Sequence, residues 1–248
     1  MVDFSRRSDE KEMIDSPHLL QPGEMEQTLR ELNLVNRWLG GAEAVLGPAR
    51  AELSRLHSAS PPGRSFRVLD VGAGGGDIPR RLLQWARRRG IPLSIMAVDF
   101  NPQANVIAAR SAPSDSIRFV TADVLALPFA PKAFDLVLCS AFLHHFPEEA
   151  AARVLRALRT AAGQAVLVND LHRHPFAYWS FRLLSGLLSR SRAIRHDGPL
   201  SILRGFRRRE LERTFREAGF KKLQITWRWA FRWSAIGRAE DTRDSVLR

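Results

Sequence analysis

The chain has 248 residues, 45% of them hydrophobic, and a formal net charge of +12 from 38 Lys and Arg against 26 Asp and Glu. This composition supplies a sizeable core, but no apolar run approaches the ~18 residues of a membrane-spanning helix. The single cysteine, Cys139, excludes an internal disulfide and a cysteine-cluster metal site.

Met1 to Arg7 has no apolar stretch behind it, so no secretory leader is expected, and the cytoplasm is the predicted compartment. Residues 1–16 are polar and predicted to be mobile. A helix is expected over 23–39, where Leu29, Leu32, Leu34, Val35 and Trp38 form an apolar stripe. Gly40-Gly41 stops it, a second helix runs over 42–57, and Ser58 to Gly63 reads as a linker.

The apolar run Phe66 to Val71 predicts a buried strand. Four glycines follow at 72 and 74–76, and then a helix over 77–89 with Pro79 in its first turn. Strand, glycine bend and helix let a ligand approach bare backbone beside unpaired helix N–H groups. A second strand over 93–98 ends in Asp99, which lies 23 residues after Gly76. That spacing suits an acid that accepts from both hydroxyls of a ribose. A third strand over 117–121 leads to Asp123-Val124, where a carboxylate can accept from the exocyclic amine of an adenine.

Further strands are expected over 134–140 and 164–168, with helices over 102–110 and 147–161. This alternation predicts a parallel sheet with helices on both faces. After Asp170 the rhythm breaks. A very apolar helix over 175–189 precedes a basic stretch, a turn at His196-Asp197-Gly198-Pro199-Leu200, and a helix over 207–218. The runs 222–227 and 229–236 read as a closing antiparallel pair at the sheet edge, and the charged tail from Arg238 as frayed.

With these motifs the chain resembles the class I S-adenosylmethionine-dependent methyltransferases over about 66–220. Asp70 to Gly76 matches that family's first motif, Asp99 its ribose acid, and Asp123-Val124 its adenine-contacting pair. The rival is a dinucleotide-binding dehydrogenase. Its Gly-x-Gly-x-x-Gly pattern fails here because Asp77 stands where the last glycine belongs. The resemblance implies S-adenosylmethionine as cofactor, with contacts from Asp70, Gly72, Ala73 and Gly74 in the bend. Asp99 and Phe100, Asp123 and Val124, and Ser140 at the fourth strand's end complete that set.

It also implies an α/β, Rossmann-like, doubly wound fold with a mostly parallel seven-stranded sheet and a reversed last strand. Residues 1–60 then form an N-terminal helical cap and 61–248 the methyltransferase domain. Residues 171–206 form a helical insert after strand 5 that serves as a substrate lid. Simple packing on the sheet is the competing role for the cap, and a plain buried helix or a membrane-surface helix for 175–189.

A hydroxyl acceptor benefits from a base, most often His. His144 is the first candidate, followed by His145 and by His196, which Asp197 could orient. His172 and His174 also follow a strand end. Relatives that use magnesium carry an acid after the fourth strand, but Cys139-Ser140-Ala141 has none, so no metal is expected despite the Asn169-Asp170 pair.

The expected function is methyl transfer to a small molecule, most plausibly O-methylation of a phenolic, quinone-like or polyketide-like acceptor in secondary metabolism. C- or N-methylation of a small molecule and a non-catalytic cofactor-binding module are the alternatives. So is methylation of RNA. Residues 201–248 carry 13 basic and 6 acidic residues, but they are scattered, which favours a solvated basic face over a nucleic-acid footprint.

Overall fold

A computed structural model of the chain describes residues 2–16, 20–21, 23–112 and 115–238. The tail expected to fray, 239–248, lies outside the described residues. Among these, no helix is long and apolar enough to cross a membrane.

Seven strands form one sheet: β1 (Phe66–Val71), β2 (Leu93–Asp99), β3 (Ile117–Thr121), β4 (Phe134–Ser140), β5 (Ala162–Leu171), β6 (Lys222–Arg228) and β7 (Arg232–Arg238). Their order is β3-β2-β1-β4-β5-β7-β6. The first five are parallel, and β7 runs antiparallel between β5 and β6. The expected Rossmann-like α/β sheet with reversed closure is therefore present. Strand order reverses between β1 and β4, which opens a crevice at their C-terminal ends, where such sheets bind ligands.

The period-two alternation of β1 explains the two cores. Phe66 and Val68 point to one face, with Leu136, Leu138, Ala165 and Leu167. Leu69 and Val71 point to the other, with Val137, Cys139, Val166 and Val168. The first face is covered by α2 (Gly41–Ser58) and α3 (Asp77–Arg88), and the second by α5 (Glu148–Ala161) and α8 (Arg208–Glu217). Each fully buried Leu, Val or Phe stabilises this sandwich by roughly 1.5–3 kcal/mol. On α3, Ile78, Leu82, Leu83 and Ala86 are buried, whereas Arg87 and Arg88 at its end are exposed.

Helix α4 (Pro102–Ser111) packs along β2 and β3, and α1 (Glu24–Trp38), α6 (Pro175–Leu188) and α7 (Arg192–Arg204) contribute to the pocket over the strand ends. Two expectations fail here. The predicted turn at 196–200 is the middle of α7, with Pro199 inside the helix. Pro199 removes one helical hydrogen bond, but packing outweighs that loss. Gly198 abuts Phe181 so closely that a Cβ would lie 2.0 Å from the ring. Asp197 also accepts from the backbone N–H groups of Met13 and Ile14 at 2.8 and 3.0 Å.

Those same contacts correct the reading of residues 1–16 as mobile, because residues 2–16 are strapped across the crevice. Arg7 Nη2 donates to the carbonyls of His144 and Phe146 at 2.9 and 2.8 Å. Arg173 Nε donates to the Phe4 carbonyl at 3.0 Å, and Glu12 is only 3% exposed. A polar segment is held here because buried arginines satisfy its carbonyls.

Candidate active site

One pocket of about 880 Å³ lies over the C-terminal ends of β1, β2 and β4. Its floor starts at the glycine bend. Gly72, Gly74 and Gly76 have φ of 71°, 49° and 70°, a region that disfavours side chains. At Gly72 a Cβ would come within 2.4 Å of the Phe142 ring. The bend is tied to β2 by the N–H groups of Gly72 and Ala73, which donate to the Val98 carbonyl at 2.9 and 3.1 Å.

Asp99 closes the bend from the other side. Its Oδ2 accepts from Gly74 N at 2.8 Å and its Oδ1 from Asn101 N at 2.9 Å. Each carboxylate oxygen keeps a second lone pair, and Asp99 lines the pocket. Phe100 beside it is 75% exposed, a free aromatic face at the rim. Asp123 caps the short helical turn Val124–Ala126 by accepting from Leu125 N at 2.9 Å, and both Asp123 and Val124 line the pocket. Ser140 Oγ accepts from Asn169 Nδ2 at 2.9 Å. The nine residues expected to contact the cofactor therefore converge on one wall.

Under that wall lies an acidic floor. Asp70 is 2% exposed, and its Oδ2 has no hydrogen-bond partner. Burial, reinforced by Asp77 and Asp99, pushes its carboxyl well above the usual range. Burial also raises Asp77, against the opposing pull of Arg80, and Asp77 Oδ2 is likewise unpartnered. Both carboxyls line the pocket, and a desolvated carboxyl there is stabilised by a positively charged ligand group.

The roof comes from the strap and the helices. Met25 and Leu29 of α1, Phe176, Phe181 and Leu184 of α6, and Ile194 of α7 line it. Helix α6 is not plainly buried, because Trp179, Leu183 and Leu187 on it are 54%, 65% and 73% exposed.

At this end stand His144 and His145, in the helical turn Leu143–His145 after β4. His144 is 3% exposed, and its Nδ1 is 2.7 Å from Asp170 Oδ1. Its backbone N–H donates to Asp170 Oδ2 at 3.1 Å, and its Nε2 lies 3.6 Å from Glu12 Oε1. Burial would raise Asp170, but the charge and hydrogen bond of His144 outweigh it and lower the carboxyl. His145, the more exposed ring, sits 2.9 Å from Asp15. Burial opposes its charge, but the Asp15 hydrogen bond and the Glu12 carboxylate win and raise its pKa. Arg232 faces the same space. Burial lowers it to about 10 against the pull of Asp170, and its Nη2 donates to Asn36 Oδ1 at 3.0 Å.

His196 is not brought to this site. Its side chain is 51% exposed and outside the pocket lining, because helix α7 turns it outward while Asp197 faces in to hold the strap. His172 and His174 also lie outside: Trp227 Nε1 donates to His172 Nδ1, and His174 caps α6. Asn169 and Asp170 both bond to neighbouring groups of the fold. Asn169 Nδ2 donates to the Gly41 carbonyl, and Asp170 holds His144. Sequence reasoning missed Glu12, Asp15, Asn36 and Arg232. No local signal marks them, since each reaches the pocket only through tertiary contacts.

Residues 68–163 match a family described as a methyltransferase domain. The chain is 32% identical over 145 residues to the 27-O-demethylrifamycin SV methyltransferase of Amycolatopsis mediterranei, covering 55% of this chain and 52% of that protein. It is 28% identical over 182 residues to the ubiquinone/menaquinone biosynthesis C-methyltransferase of Rhizobium meliloti, covering 67% and 69%. Human N-acetylserotonin methyltransferase, solved in complex with S-adenosylmethionine, superposes with a TM-score of 0.60 at 19% identity, covering 89% of this chain and 57% of that one. The chain spans about half the length of the first of these relatives. Residues 68–163 thus match a methyltransferase domain, and the sheet order is that of a Rossmann-like fold shared with solved S-adenosylmethionine-dependent methyltransferases.

Proposed function

We propose that this chain transfers the methyl group of S-adenosylmethionine to an oxygen of a small aromatic or apolar molecule of phenolic, quinone-like or polyketide-like type. One observation carries the reading: a single pocket joins the glycine bend and its acids to the paired imidazoles under an apolar roof. In this assignment Asp99 accepts from the ribose hydroxyls, and Asp123 takes the adenine amine with Val124 and Phe100 against its ring. Asp70 and Asp77 face the cationic end of the cofactor. The sulfonium is already a good leaving group, so the protein's main work is alignment of acceptor oxygen, methyl and sulfur.

A hydroxyl acceptor must also lose its proton, and the cluster of His144, His145, Asp170 and Asp15 stands at the acceptor end to take it. The roof supports an acceptor that is largely apolar. Residues 1–60 act as the cap in this reading, and 171–206 as the lid. The names of the relatives, which concern rifamycin and quinones, support the acceptor class.

The test is calorimetric titration of the folded protein with S-adenosylmethionine, followed by labelled methyl transfer to a panel of phenols, hydroxyquinones and polyketides. Cofactor binding with label on an oxygen is expected. Folded protein that binds no S-adenosylmethionine removes the reading, and label found on carbon removes the oxygen assignment.

A further inference from the structure

At one end of the pocket, two neighbouring imidazoles meet the buried carboxylate of Glu12. His144 gives Nδ1 to Asp170 at 2.7 Å, so the neutral tautomer with its proton there leaves a lone pair on Nε2. That lone pair faces Glu12 Oε1 across 3.6 Å, too long for a hydrogen bond. Glu12 Oε1 is buried and has no hydrogen-bond partner, and Arg204 Nε lies 3.7 Å away from it. His144 Nε2 and Glu12 Oε1 thus face each other with no hydrogen bond between them.

From this geometry we infer that Glu12, His144 and His145 form a binding site for a divalent transition-metal ion of the Zn²⁺ type. Two imidazoles and one carboxylate are a donor set such ions take, with a further position left open. Ligands about 2.1 Å from a tetrahedral ion stand about 3.4 Å apart, close to the 3.6 Å between His144 and Glu12. The three ligating atoms lie within 4.8 Å of one another, so the remaining adjustment falls on the His145 ring.

One outer partner is also in place. Metal-bound histidines almost always give their other ring nitrogen to a carboxylate or carbonyl. Here Asp170 holds His144 Nδ1 at 2.7 Å, whereas on His145 the nitrogen 4.0 Å from Glu12 Oε2 is Nδ1, which Asp15 holds at 2.9 Å, so this ring must turn Nε2 inward or exchange Asp15 for the ion. Glu12, His144, His145 and Asp15 all line the pocket, so the open position faces the acceptor space. The metal-free expectation drawn from the strand ends had no access to this set, because Glu12 arrives from the N-terminal strap.

The experiment uses the full chain, stripped with chelator and titrated with Zn²⁺ by calorimetry, with bound metal counted by elemental analysis. The result expected is one equivalent per chain. Glu12→Gln and His144→Asn should each weaken binding at least a hundredfold, and Asp170→Asn by about 10–100-fold as an outer partner. His174→Asn, outside the pocket lining, should leave affinity unchanged. Circular dichroism checks that each variant folds. Glu12→Gln keeps the side-chain shape on a peripheral strap, so it decides the matter if His144→Asn or Asp170→Asn unfolds. Folded wild type that retains no Zn²⁺, or Zn²⁺ held equally by wild type and Glu12→Gln, overturns the site.

Discussion

Asp70→Asn tests the acidic floor in two opposite directions at once. In the ligand-free fold the Asp70 carboxyl is buried beside Asp77 and Asp99, with Oδ2 unpaired. Burial therefore raises its pKa well above the value of about 3.9 in the unfolded chain. Above that pH the native state binds more protons than the unfolded state, so this group makes stability fall as pH rises. Asn at this position carries no charge and offers an N–H to the neighbouring carboxylates. A buried acceptor left unpaired costs about 1–3 kcal/mol, and each kcal/mol moves the Tm of a chain this size by about 2–4 °C. Calorimetric melting without ligand at pH 7 should show a Tm higher by roughly 2–12 °C, with a flatter stability profile as pH rises above about 4. Affinity for S-adenosylmethionine should drop about tenfold or more, which is at least ~1.4 kcal/mol, because a cationic ligand group loses its counter-charge. A Tm that does not rise, together with unchanged affinity, refutes the claim that this carboxyl is held uncompensated for a cation.

Three further outcomes follow from the same geometry. Asp99→Ala frees the N–H groups of Gly74 and Asn101, and hydrogen bonds to a charged group are worth about 1.5–3 kcal/mol each; cofactor affinity by calorimetry should fall at least tenfold, and an unchanged value removes Asp99 from the site. Gly72→Ala puts a side chain at φ 71° and 2.4 Å from Phe142, costing about 2–5 kcal/mol from left-handed strain plus overpacking; a urea midpoint equal to wild type would contradict the packing described. Burial drives the Cys139 thiol well above its usual range, and the residue is 0% exposed, so a disulfide reagent should label it only after unfolding; rapid labelling of native protein would mean that β4 opens.

The features legible from the chain alone are those set by neighbours in sequence. Phe66 to Val71 is a strand because six apolar-rich residues need burial, and the bend after it is set by glycines whose positive φ other residues resist. Asp99 and Asp123 were findable because strand ends in a parallel sheet share one edge, which the pairing of Asp99 with Thr121 bears out in register. The same local logic failed at 196–200. There Gly and Pro announce a turn, but contacts with Phe181 and the strap keep the chain helical.

Tertiary structure alone decided which side chains meet around His144 and His145. Nothing near Glu12 in the chain distinguishes it from the other acids of a polar segment, yet folding sets it against His144. Asp170 is assigned to His144 by the adjacency of β4 and β5. His196 is excluded by the rotation of a helix whose inward position goes to Asp197. Local sequence encodes backbone preference over a few residues. The meeting of side chains more than a hundred positions apart depends on which surfaces the whole core leaves to cover the crevice, and that is written in no single segment.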